Sequence, residues 1–88
     1  MGGFLVPASA MAQMLCAPHA EIVRVLENDY QEQKVAGGLS DAGALVELFV
    51  ADRRSWTIVF TIPGGPSCVL SGGESWEVQT PPKPSEES

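Results

Sequence analysis

Two alternating runs in succession, residues 44–51 and 56–62, constrain this fold more than any other feature of the chain. In the first, Ala44, Val46, Leu48 and Val50 alternate with Leu45, Glu47, Phe49 and Ala51, and the wholly apolar set is predicted to face the core. In the second, Trp56, Ile58, Phe60 and Ile62 alternate with Thr57, Val59 and Thr61, a β-branched and aromatic composition that suits a pleated ladder. The polar stretch Asp52-Arg53-Arg54-Ser55 joins them as a hairpin loop. Pro63-Gly64-Gly65-Pro66 cannot continue a ladder and predicts the next turn. Residues 67–71 and 76–79 then read as closing strand pieces around Gly72-Gly73, and residues 35–39 as a short leading strand weakened by Gly37 and Gly38.

Ahead of these strands the period changes. Pro18 suits the first turn of a helix, where its missing N–H costs nothing. His19, Ile22, Val23, Leu26 and Tyr30 then recur along one face, while Glu21, Arg24, Glu27 and Asn28 fall on others and Val25 alone breaks the pattern. The spacing predicts a helix over residues 18–31. The expected fold class is α+β: one N-terminal helix packed on a three- or four-stranded antiparallel meander.

An 88-residue chain makes one domain, and one this small buries only about 60–65 per cent of its surface. Such cores commonly need a staple. With two cysteines, one histidine and no CxxC pair, the inventory does not reach a zinc site or a redox dithiol. A structural bridge or two separate buried thiols remain.

Residues 1–12, MGGFLVPASAMA, favour the bridge. They are uncharged, apolar around Phe4, Leu5 and Val6, and end with Ala10 and Ala12 at the small positions that signal peptidase requires. They are expected to be the remnant of a signal peptide cleaved before Gln13, with its missing basic region expected upstream of Met1. Retention of this segment as an apolar arm is the alternative. The stretch is too short to span a membrane, and Leu15 before Cys16 argues against lipidation. Export to an oxidising compartment, periplasmic or secreted, predicts a Cys16–Cys68 disulfide. Residues 13–79 are then the folded domain, and residues 80–88, TPPKPSEES, a disordered tail.

The segments Cys16-Ala17-Pro18, Gly43-Ala-Leu-Val-Glu, Ser55-Trp-Thr-Ile, Ser67-Cys68 and Gly73-Glu-Ser-Trp76 resemble those of small exported bacterial proteins with one disulfide. That resemblance implies export and a disulfide frame, and no activity.

A search for chemistry finds little. His19 lacks a nucleophile nearby in sequence and reads as a structural histidine. Asp41, Glu47, Asp52, Glu74 and Glu77 form no acid–base motif and read as solvated charges. Neither glycine pair has the Lys and Ser or Thr of a phosphate loop, and Met1, Met11 and Met14 do not define a metal site. No cofactor or metal is expected. A formal charge of −6, with five basic residues, argues against nucleic acid and anionic membranes as partners. Arg53, Arg54, Trp56 and Trp76 are the candidate partner-binding residues, since arginine and tryptophan dominate interface hot spots and an adjacent basic pair would steer an acidic partner. The expected function is that of a non-enzymatic binding or accessory protein of the bacterial envelope. The alternative is a structural component of a larger particle that keeps its apolar arm.

Overall fold

The protein's structure, a computed structural model, describes residues 15–79. The cleaved segment expected over residues 1–12 and the tail expected over residues 80–88 lie outside the described residues. The chain runs β1 (Cys16–Ala17), α1 (His19–Asp29), β2 (Glu32–Leu39), β3 (Leu45–Ala51), β4 (Trp56–Thr61) and β5 (Ser67–Gly73). All strands join one antiparallel sheet in the order β1-β5-β4-β3-β2. The α+β class holds, but the sheet has five strands, not three or four. β2 to β5 form the meander, and β1 adds to its far edge. Two residues ahead of a proline carry no period that a sequence can show.

Two boundaries also differ from expectation. β2 begins at Glu32, because its polar first residues, Glu32, Gln33 and Lys34, pair with β3 although they read as loop. β5 continues through Gly72 and Gly73, while residues 76–79 form no strand.

α1 starts where Pro18 accepts hydrogen bonds from the N–H groups of Glu21 and Ile22, at 2.9 and 3.1 Å. It ends at a left-handed Gln31 (φ 54°), whose side-chain amide donates to the Asn28 carbonyl at 2.9 Å, so an orphan end carbonyl is satisfied without glycine. Between these ends Ile22 and Leu26 are buried against Phe49 and Val59, with Val23 and Val69 at the margin.

This packing reverses the expected core face of β3. Glu47, Phe49 and Ala51 are buried beneath α1, and the wholly apolar set, Val46, Leu48 and Val50, lies half-buried on the opposite face. β4 follows in register: Thr57 and Val59 are buried, while Trp56, Ile58 and Phe60 share the face with Val46, Leu48 and Val50. Alternation fixes which residues share a face, not which face the helix covers. Glu47 misleads because its charge is compensated inside.

Cys16 and Cys68 are bonded, as expected. They lie directly opposite in the β1–β5 pair, with Cα atoms 4.0 Å apart. Val69 N–H donates to the Leu15 carbonyl, 2.8 Å away, which makes the cysteines a non-hydrogen-bonded pair, the position where opposed strands come closest. The bridge therefore links neighbouring strands; it does not reach from the helix to the far side of the sheet.

Candidate functional site

Three places on the fold carry chemistry. The first is the hairpin between β3 and β4. Ala51 N–H donates to Ser55 O at 2.9 Å and Arg54 N–H to Ala51 O at 2.7 Å, which closes a three-residue loop with Arg54 left-handed (φ 79°) at its third position. The preceding hairpin has the same build, with Gly43 (φ 88°) in that place. Arg54 is clamped to Trp76: its carbonyl accepts the Trp76 N–H at 2.9 Å, and its Nη1 donates to the Trp76 carbonyl at 3.4 Å. The clamp sets Trp76 against Trp56, ring centroids 5.3 Å apart and planes tilted by 60°. Glycine at position 73 is required here, since a Cβ would stand 2.7 Å from Trp56 Nε1. Of the residues expected to meet a partner, Arg54, Trp56 and Trp76 thus form one cluster. Arg53 is exposed and instead lines a groove beside α1.

The second place is the sheet face that α1 leaves open. Register puts Gln33, Ala36 and Gly38 of β2, the apolar sets of β3 and β4, and Ser71 and Gly73 of β5 on it, none of them charged. Between Trp76 and the small residues of β2 lies an apolar hollow of about 340 Å³, floored by Val46, Leu48 and Ile58.

The third is the covered face, which holds two carboxylates that nothing in the sequence marks as interior. Glu47, 3% exposed in its side chain, lies 2.8 Å through Oε1 from His19 Nε2 and 3.4 Å through Oε2 from Lys34 Nζ. His19 is therefore hydrogen-bonded, while Glu47 corrects the expectation of a solvated charge. Glu32, 1% exposed, accepts from Ser55 Oγ at 2.8 Å through Oε2 and has no partner at Oε1 among the described residues. Sequence reading missed Glu32 altogether. Its one available signal was Ser55, a hydroxyl at the mouth of the next hairpin.

Among the described residues no three or more His, Cys, Asp or Glu side chains are grouped to hold a metal, and no helix is long and apolar enough to cross a membrane. Fold and surfaces together define a class: a two-layer α+β domain, stapled by one cross-strand disulfide, with one sheet face uncovered among the described residues. Comparison of the chain with known protein families, with curated proteins and with solved structures finds no match.

Proposed function

We propose that this protein is a small exported, non-enzymatic binding or accessory protein of the bacterial envelope, acting through its open sheet face. The observation that carries this reading is the uncharged apolar surface of β3 and β4, half-exposed in a chain of net charge −6. An apolar patch rimmed by polar residues is the usual mark of a protein interaction site. Trp56 and Trp76 close one end of the face and Arg54 stands beside them, so aromatic anchors lie next to a basic rim. A complementary partner is a protein with an apolar patch bordered by carboxylates, drawn to Arg54 and held by Val46, Ile58 and Phe60. The disulfide supports export, since such bonds persist in oxidising compartments.

Capture from a bacterial periplasmic extract tests this reading, with the Phe60→Asp variant beside the parent protein. A charge on the open face should reduce recovery of a specific partner tenfold or more, while Glu27→Lys, exposed on α1 across the sheet, should leave it unchanged. A partner retained equally by all three proteins would refute binding through this face.

A further inference from the structure

The two edges of this sheet are unequal. β1 is only two residues long, whereas β2 runs from Glu32 to Leu39 and is exposed throughout after its first residue. Sheet edges are normally kept from further pairing by short length, lysine, proline or a bulge. The first half of β2 has two of these, Lys34 and a bulge at Val35, where the register steps from Lys34 opposite Phe49 to Ala36 opposite Leu48. The second half, Ala36-Gly37-Gly38-Leu39, has no charge, proline or bulge, and Leu39 is 74% exposed. Ser40 N–H donates to Ala44 O at 2.9 Å and closes the β2–β3 hairpin, so bonded and non-bonded pairs alternate from there. Gly38–Val46 and Ala36–Leu48 are then bonded pairs, while Leu39–Leu45 and Gly37–Glu47 are not. Gly37 and Leu39 therefore turn their N–H and C=O groups away from β3, toward the free edge.

We propose that this edge is the contact between two copies of the chain, β2 pairing antiparallel with β2 of the second copy about a two-fold axis at Gly38. The segment is complementary to itself in that register. Gly37 of each copy stands opposite Leu39 of the other, and each such pair exchanges both of its outward N–H···O bonds. The exposed Leu39 side chain then lies beside Gly37 of the second copy, where no side chain competes for the space. At either end Lys34 comes within one residue of Asp41 of the second copy, so unlike charges meet and no like charges are opposed. Pairing along so short an edge buries less than a standard interface, which makes the dimer weak and dependent on concentration. The axis is perpendicular to the sheet, so the two open faces lie on one side and the hollows bordered by Ala36 and Gly38 adjoin at the seam. The inference goes beyond partner binding on the open face and does not require it.

Sedimentation equilibrium of the full, disulfide-intact chain from low micromolar to about 1 mM, with amide hydrogen exchange over the same range, tests the pairing. A monomer–dimer equilibrium is expected, with exchange at Gly37 and Leu39 slowed by about tenfold or more in the dimer. Leu39→Pro removes an outward N–H where an edge strand tolerates proline, and should weaken the dimer by about tenfold or more. Leu39→Val keeps that donor and should change association by less than about threefold. Asp41→Lys, an exposed loop change, places a positive charge beside Lys34 of the second copy and should weaken the dimer by about threefold or more, which keeps the test decisive if Leu39→Pro fails to fold. A monomer at every concentration, or a dimer whose Gly37 and Leu39 amides exchange at the monomer rate, would overturn the proposal. So would a dimer unchanged in both Asp41→Lys and folded Leu39→Pro, or one lost only in Phe60→Asp, which would put the contact on the open face. Protection of both amides only when a different protein is bound would make the occupant another chain and overturn it as well.

Discussion

Truncating one phenylalanine on each face of the sheet separates the two orientations the strand pattern allows. Phe49 is 1% exposed and packed against Ile22, Leu26 and Val59, so Phe49→Ala removes a buried ring and leaves a closed cavity, a change worth about 3–5 kcal/mol. Phe60 is half-buried on the open face, where solvent fills the vacated space and no cavity is enclosed. Phe60→Ala therefore loses part of the transfer free energy alone, about 1–2 kcal/mol. Both residues sit in interior strands of the same sheet, so β-propensity costs largely cancel between them. A domain of this size has about 5 kcal/mol of stability in total, so Phe49→Ala should be near its unfolding threshold while Phe60→Ala stays folded. Urea melts of the disulfide-intact proteins, followed by far-UV circular dichroism at low micromolar concentration, measure both. Equal losses, or a larger loss for Phe60→Ala with a midpoint independent of protein concentration, would refute the placement of α1.

Two further outcomes follow from the backbone. Replacing Cys16 and Cys68 together by serine reopens a loop closed across 52 residues and should cost about 4 kcal/mol, and thiol titration of the unfolded, unreduced parent should find no free sulfhydryl. Arg54→Gly should raise the urea midpoint by the equivalent of about 1 kcal/mol, because a left-handed conformation strains any residue with a Cβ and the exposed side-chain bond to Trp76 is weak; Arg54→Ala, which keeps the strain, should not.

What the sequence makes legible is local. The β3–β4 hairpin and the helical stripe through Ile22 and Leu26 follow from period and turn chemistry, and the oxidised cysteine pair agrees with the export reading of residues 1–12, since the cysteine count alone leaves two separate thiols open. What it hides depends on contacts between distant segments. β1 exists because Cys16 and Ala17 pair with Cys68 and Ser67, some fifty residues on, and no window around Cys16 contains that information. Glu32 and Glu47 are interior because Ser55, His19 and Lys34 arrive from other elements, whereas composition alone assigns both to solvent. The Arg54–Trp76 clamp is of the same kind: the sequence suggests one surface for Arg53, Arg54, Trp56 and Trp76, but only the fold shows the bonds that hold Trp76 to Arg54 and turns Arg53 toward the groove.

Around the apolar core of Ile22, Leu26, Phe49 and Val59 the covered face of this sheet also buries polar side chains, while the opposite face carries mainly apolar ones. The covered face holds Glu32, Glu47, Thr57 and Ser67, all buried. The open face holds valines, leucine, isoleucine, phenylalanine and tryptophan. A domain selected only to fold would gain by exchanging them, since buried polar groups at best break even against apolar ones of similar shape and exposed apolar area invites association. The buried ionic groups here are engaged from three elements, α1, β2 and the β3–β4 hairpin, which fixes the position of α1 over the covered face. Among the described residues, register puts no charged strand residue on the open face. Positioning α1 through polar contacts leaves the apolar sets of β3 and β4 uncovered by the helix, and that is the surface the proposed partner would meet.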